Sequence, residues 1–203
     1  MTPHEQRPAP ATRIVIAEDE ALIRLDLAEM LAEEGYEVVA QASDGEQALA
    51  LVSEHRPDVV LMDIKMPKLD GIEAATRISE QRLAPVVLLT AFSQRELVER
   101  ARDAGAMAYL VKPFQKSDLA PAIEVARSRF AEMMALESEV DGLQERLETR
   151  KAVERAKSAL QESFGISESE AFRWIQKSAM DLRMSMREVA EQVIEKESGP
   201  AGD

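Results

Sequence analysis

Glu18 with Asp19, then Asp63, Thr90 and Lys112, each stand directly behind a short apolar run: RIVIA (Arg13–Ala17), DVVLM (Asp58–Met62), PVVLL (Pro85–Leu89) and AYLV (Ala108–Val111). Together these side chains have the makings of phosphoryl transfer to a carboxylate. Clustered carboxylates supply the hard oxygen ligands that Mg²⁺ prefers. Positioning and charge neutralisation supply most of the catalysis in phosphoryl transfer. One carboxylate is then left to act as nucleophile and form an aspartyl phosphate. A lysine ammonium suits a phosphate as a point charge, and a threonine hydroxyl donates to a phosphate oxygen. Singly, each residue has a plainer reading. Asp63 could be a turn or cap residue, Thr90 a helix start, Lys112 a solvent-facing cation, and Tyr109 a half-buried strand aromatic. Agreement among four strand ends favours one shared site.

The intervening segments read as the elements that must hold those ends together. Ala21–Glu34 is an amphipathic helix stopped by Gly35, and Glu37–Gln41 is a further strand. Asp44-Gly45 opens a helix to about His55, Asp70-Gly71 opens another, and Ser93–Ala104 is a fourth, followed by Gly105. A fifth begins near Lys116. Strands alternating with helices predict an α/β fold, a flavodoxin-like (βα)5 domain over residues 13–130 with strand order 2-1-3-4-5. In such sheets the functional crevice lies at the carboxyl ends of the strands, where the polar residues fall.

At these residues the chain resembles the receiver domain of two-component response regulators. The resemblance is carried by AEDE (Ala17–Glu20), MDIKMPKLDG (Met62–Gly71), LLTA (Leu88–Ala91) and GAMAYLVKPF (Gly105–Phe114), and extends from about Arg13 to Arg129. It implies a sensor histidine kinase as phosphodonor and Asp63 as phosphoacceptor. It also implies Mg²⁺ held by the acidic pocket of Glu18, Asp19 and Asp63 with the backbone carbonyl of Lys65. Thr90 becomes the switch hydroxyl, Tyr109 the switch aromatic and Lys112 the phosphate-binding lysine. Catalysis is confined to the domain's own phosphotransfer and dephosphorylation. Family members often carry a cis peptide where Lys112-Pro113 stands. Lys65 and Phe92 lie two residues past Asp63 and Thr90, positions that often flank the attacking water. An apolar Phe92 cannot orient that water, so a long-lived phosphoryl group is expected.

Composition narrows the class further. At 203 residues the chain has room for one ordinary domain and a smaller one. It has no cysteine, which excludes a disulfide framework and a thiolate metal site. Met1–Thr12 is Pro-rich and polar with no apolar signal core, and reads as disordered; no run approaches membrane-spanning length. A soluble, cytoplasmic protein without membrane association is expected. A net charge of -13 argues against indiscriminate nucleic-acid binding by the whole surface. His4 and His55 have no partner pattern and receive no role.

Beyond the first domain the pattern is all-helical. Met133, Leu136, Val140, Leu143 and Leu147 recur at spacings of three and four, a short coiled-coil-like seam over residues 131–148. Either a second copy or the chain's own C-terminal helices would cover it. Residues 149–196 read as a small all-α three-helix bundle, with residues 197–203 as a tail. Val153, Ala156, Leu160 and Phe164 mark the first helix. Capping boxes at Ser167/Glu170 and Ser185/Glu188 open the others, with Phe172, Ile175 and Ala179, then Val189, Ala190, Val193 and Ile194, as apolar faces. Phe164 and Phe172 are expected in the core; Trp174 fits either core or surface.

Charge is locally inverted in this part of the chain. Arg146, Arg150, Lys151, Arg155 and Lys157, then Arg173, Lys177, Arg183 and Arg187, outnumber the neighbouring acids. Basic files on an acidic chain suggest a confined nucleic-acid footprint. A solvated face, paired at i, i+4 as in Arg150–Glu154, is the alternative. The stretches ETRKAVERAKSAL (Glu148–Leu160), GISESEAFRWIQKSAM (Gly165–Met180) and MREVAEQVI (Met186–Ile194) resemble the ANTAR domain, a three-helix RNA-binding module of transcription antiterminators. Ser158 replaces a usual Gly, and Gln176 replaces a frequent Arg, leaving Arg173 or Lys177 to supply that contact.

The resemblance implies binding of hairpin RNA in nascent transcripts, an indirect action on RNA polymerase, and phosphorylation- or RNA-dependent homodimers. Arg150, Lys151, Arg155, Lys157, Arg173 and Lys177 are the candidate RNA contacts. Rival readings are a DNA-binding output domain, for which no helix-turn-helix spacing appears, and a protein adaptor. A phosphohydrolase of the haloacid dehalogenase group would need an Asp where Lys65 stands.

Overall fold

The computed structural model describes residues 11–91 and 95–198, without the side chains of residues 95–98 and 197–198. Most of the expected N-terminal segment, the expected tail beyond residue 198, and Phe92 therefore lie outside the described residues. The contacts divide the chain into two units that meet between Met134 and Ala135.

In the first unit, five short β-branched runs become strands: β1 (Arg13–Ala17), β2 (Glu37–Ala42), β3 (Val59–Asp63), β4 (Val86–Thr90) and β5 (Ala108–Val111). Between them run α1 (Ala21–Glu33), α2 (Gly45–His55), α3 (Gly71–Glu80) and α4 (Arg95–Asp103), and α5 (Lys116–Phe164) follows. The strands pair in parallel in the order β2-β1-β3-β4-β5, as expected.

Strand residues alternate between the two faces of the sheet. Val15, Ala17, Val60, Met62, Val86 and Leu88 pack with Ala48 and Val52 of α2 and Ala74, Ala75 and Ile78 of α3. Ile14, Ile16, Leu61, Val87 and Leu89 pack with Leu27 and Leu31 of α1 and Leu119, Ile123 and Ala126 of α5. Both faces are covered, so the central strands β1, β3 and β4 are nearly continuous apolar runs. Each fully buried Leu or Ile contributes about 1.5–3 kcal/mol. Asp44 and Asp70 cap α2 and α3 by accepting the backbone N–H of Gln47 (2.9 Å) and Glu73 (2.8 Å).

The second unit corrects one expectation. The first of the three predicted short helices is the C-terminal part of α5, which runs unbroken for 49 residues. It packs with α6 (Glu168–Leu182) and α7 (Met186–Ser198). The core is Val153, Ala156 and Leu160 of α5, Ala171, Ile175 and Ala179 of α6, and Val189, Ala190 and Val193 of α7. Fully buried alanines on all three helices (Ala156, Ala171, Ala190) leave little space between them for a phenyl ring. The expected core residues Phe164 and Phe172 are accordingly 69% and 41% exposed. Ala171 takes the i, i+4, i+8 stripe with Ile175 and Ala179, and this displaces the alternative stripe that begins at Phe172.

Both predicted capping boxes form. Ser167 N–H donates to Glu170 (2.9 Å) and Ser185 N–H to Glu188 (2.7 Å), while each serine hydroxyl accepts the N–H of its partner. Hydrogen bonds from the Ser167 side chain and backbone hold the Glu170 carboxyl below its ordinary range, and those from the Ser185 backbone and side chain do the same for Glu188. The Lys157 ammonium depresses Glu168. Depressed carboxylates stabilise a fold above their ordinary pKa, and that stability is lost as pH falls through the shifted values. Melts of the C-terminal unit should therefore hold steady near neutrality and fall as pH drops below about 4.5. Circular dichroism across that window checks it, and Glu170→Gln should flatten the response.

Candidate functional site

The carboxyl ends of β1, β3, β4 and β5 surround a cavity of about 230 Å³ lined by Asp19, Glu20, Asp63, Lys65, Thr90 and Lys112. Asp63 and Thr90 are the last residues of β3 and β4, which end one place later than the sequence suggests, and both are buried. Burial fixes the Asp63 carboxylate between two donors. Its Oδ2 accepts the Lys65 backbone N–H (2.7 Å) and its Oδ1 the Lys112 ammonium (2.5 Å). Lys112 also reaches Glu18 Oε2 (2.6 Å), so one cation bridges two carboxylates from different strands. Its backbone N–H donates to the Thr90 carbonyl (2.7 Å), which fixes the β4 and β5 ends together. Lys112-Pro113 is cis, as the motif suggests.

The electrostatics follow from this crowding. Burial raises the Glu18 pKa and the nearby Asp63 charge adds to it, while the Lys112 hydrogen bond partly offsets both. Burial alone would lower Lys112, but its hydrogen bonds to Asp63 and Glu18 outweigh that and hold it firmly charged. Oxygens of Glu18, Asp19 and Asp63 lie within 4.8 Å of one another, and Asp19 is exposed to solvent. Three carboxylate donors, one of them open to water, suit a hard divalent cation that keeps part of its hydration shell.

Tyr109 lies elsewhere. It is half-exposed on β5 and lines a separate groove with Val111, Phe114, Pro121 and Val125. Two supports of the pocket were not legible in the sequence. Arg24, one turn into α1, donates to the carbonyls of Glu18 (2.5 Å) and Asp19 (3.5 Å) and ties down the loop that carries both acids. Lys68, in the loop after β3, pairs with buried Asp44 at the start of α2 (2.6 Å). The only sequence hint at Asp44 is its cap role, and nothing local points across the 24 residues to Lys68.

In the second unit the six basic candidates do not form one surface. Lys157 is 6% exposed, and its ammonium is held by Glu154 (2.9 Å) and Glu168 (2.6 Å). It clamps α5 to α6 rather than facing solvent, and Glu154 thereby pairs with Lys157 instead of Arg150. Arg150, Lys151 and Arg155 line a groove of about 670 Å³ between α5 and α7 that also carries Glu148, Glu154, Glu191 and Glu195. Arg173 and Lys177 are exposed on the outer side of α6. The apolar seam residues Leu136, Val140, Leu143 and Leu147 are all exposed, so no described residue of the chain buries them.

Fold and site define a class, and comparison with known proteins agrees. Residues 14–124 match the response regulator receiver domain and residues 141–194 the ANTAR domain. The chain belongs to the response regulator family, and carries a receiver domain followed by an ANTAR domain. Among its relatives is the transcriptional regulatory protein PdtaR of Mycobacterium tuberculosis, 66% identical over 183 residues, which span 90% of this chain and 89% of that protein. The chemotaxis protein CheY of Bacillus subtilis is 41% identical over 114 residues, 56% of this chain and 95% of CheY. Of solved structures, the receiver domain of the putative response regulator NarL from M. tuberculosis superimposes with a TM-score of 0.56 at 29% identity, covering 58% of this chain and 97% of that domain. A CheX–CheY–BeF3–Mg²⁺ complex from Borrelia burgdorferi matches with a TM-score of 0.53 at 29% identity, over 55% of this chain and 86% of that one. No helix among the described residues is long and apolar enough to cross a membrane.

Proposed function

We propose that this response regulator is phosphorylated on Asp63 by a sensor histidine kinase and then acts in the cytoplasm as an RNA-binding transcription antiterminator. One observation carries the first half: a buried carboxylate at a strand end, bridged by Lys112 to a second acid within a three-carboxylate cluster. Glu18, Asp19 and Asp63, with the Lys65 carbonyl, would hold Mg²⁺, which when bound neutralises charge on the transferring phosphoryl group. The relative crystallised with BeF3 and Mg²⁺ supports that assignment.

An Asp63 oxygen attacks the phosphorus of a kinase phosphohistidine. The P–O bond forms as the P–N bond breaks, and the imidazole nitrogen leaves. Lys112, already beside Asp63, then turns to the new phosphoryl oxygens, and the Thr90 hydroxyl donates to another. Tyr109, on the neighbouring exposed face, follows Thr90 inward and changes the surface around β5. That change favours homodimers through this surface or through the seam of Leu136, Val140, Leu143 and Leu147, whose exposure supports a second copy as its cover. Two ANTAR modules in one dimer hold two adjacent hairpins, because the second binds as if intramolecularly. RNA polymerase is affected only through the terminator that fails to form.

The test is a titration against a tandem-hairpin RNA and a length-matched DNA duplex, with and without a small acyl phosphate donor and Mg²⁺. RNA should be preferred, and phosphorylation should tighten its binding by roughly 100-fold or more, within the 100-fold to 10,000-fold that linked sites provide. Equal binding to duplex DNA, or none to either, would overturn the antiterminator reading and leave the receiver standing.

A further inference from the structure

The outer face of α6 combines three features that point to a ligand. Trp174 is the only tryptophan of the chain, and it stands 48% exposed in a bundle whose centre is built from alanine and aliphatic side chains. Arg173 precedes it, and Lys177 lies three residues on from Trp174 and four from Arg173, so the three occupy adjoining positions on one helical surface. Neither cation forms an ion pair with a described residue, unlike Lys151, Lys157 and Arg187. The acids on that side are Glu170 and Asp181. Glu170 is engaged by the backbone and hydroxyl of Ser167 in the capping box (2.9 and 2.6 Å) and also feels the Arg173 charge, while Asp181 lies one turn beyond Lys177. The helix itself is held by buried Ala171, Ile175 and Ala179, so the platform is rigid.

We propose that this face is a stacking platform for an unpaired base, with Trp174 against the base and Arg173 and Lys177 on the flanking phosphates. The proposal rests on the RNA reading above and names the contact within it. The nucleic-acid occupant follows from that reading and from the exposed ring: Arg173 and Lys177 are matched in number by Glu170 and Asp181, but neither cation is locked in an ion pair with a described residue, and both can turn to a phosphate beside Trp174. Sequence-specific RNA readout targets splayed loop bases, and aromatic rings stack any of them. The other candidate surfaces are poorer. The α5–α7 groove sets Arg150, Lys151 and Arg155 against four carboxylates, which repel a phosphate backbone. Phe172 lines a groove in which Glu145 and Glu154 offset Arg146 and Arg150, and its phenyl ring offers a smaller stacking surface than the Trp174 indole. Phe164 ends α5, where the nearby Lys157 is already held by two glutamates.

The experiment uses the full chain and RNAs selected from a tandem-hairpin pool randomised in the loops. Anisotropy of the labelled RNA reports binding, and intrinsic tryptophan emission reports stacking at Trp174 alone. Emission should be quenched at saturation, and an abasic replacement of one loop nucleotide should abolish the quench. Trp174→Ala should weaken binding on the order of 10-fold to 100-fold, Trp174→Phe by much less. Unquenched emission with unchanged affinity in Trp174→Ala would overturn the platform while RNA binding stands. Loss of self-association in Trp174→Ala at unchanged RNA affinity would also overturn it and assign the face to a second copy. Failure to select any binding RNA would remove both readings.

Discussion

Asp63→Asn is expected to abolish incorporation of phosphate from an acyl phosphate donor, while Asp58→Asn, just ahead of the same strand's first residue, leaves it intact. The amide has nearly the shape of the carboxylate but no anionic oxygen to attack phosphorus. Its single oxygen serves only one of the two donors that now converge on Asp63, the Lys65 N–H and the Lys112 ammonium. The amide nitrogen must face the other. Lys112 keeps Glu18 as a partner, so the pocket loses one charge-assisted bond and also the repulsion between two buried acids. These effects oppose each other, and the melting free energy should move by no more than about 1–2 kcal/mol. Asp58 instead accepts the Arg13 backbone N–H (2.7 Å) far from the pocket. Phosphate labelling followed by mild alkali, which cleaves acyl phosphates, measures the outcome. Label retained in Asp63→Asn would move the phosphoacceptor elsewhere. Labelling lost with enhancement of RNA binding retained would separate the receiver's chemistry from the output.

What the sequence made legible was local. Apolar runs ending in polar residues located the strands, and Asp-Gly pairs and Ser-x-x-Glu boxes located helix starts, because each motif is satisfied within a few residues. The conjunction at Glu18, Asp19, Asp63, Thr90 and Lys112 followed from a rule of sheet topology. Three misses share a different cause. Local charge files Lys157 with the candidate RNA contacts, yet Glu168 reaches back from the next helix to hold it. Phe172 and Ala171 begin equally valid helical stripes through Ile175 and Ala179, and only the close approach of three helices selects the smaller side chain. Arg24 and the Asp44–Lys68 pair act on backbone carbonyls and across 24 residues, where periodicity carries no information. Partners set by tertiary packing lie beyond any pattern read along the chain.

Packing also dictates the second large effect, at Gly71. This residue opens α3 directly after the loop that leaves Asp63, and its N–H donates to the Ile64 carbonyl (2.9 Å). A Cβ placed there would be driven into the Asp63 carbonyl oxygen and would sit 2.9 Å from its carbon and 3.0 Å from the Ile64 Cα. These are backbone atoms of a buried strand whose next N–H, that of Ile64, is bonded to the Leu89 carbonyl (3.1 Å), so no flexible side chain is available to move aside. Gly71→Ala should therefore cost about 3 kcal/mol, the upper range for overpacking, and lower the receiver's melting temperature on the order of 10 °C. The strain falls on the phosphoacceptor itself. Any relaxation that moves the Asp63 carbonyl also moves its side chain relative to Lys112 and the Lys65 N–H, so phosphate incorporation should fall even at temperatures where the variant is fully folded. Gly142→Ala is the matched control. Nothing lies within 4 Å of its Cβ, and alanine in mid-helix should gain roughly 0.5–1 kcal/mol. If Gly71→Ala melts and labels like the parent, the close approach of α3 to the end of β3 does not set the position of Asp63. A folded variant that labels slowly would establish that the pocket's geometry depends on the absence of a single methyl group.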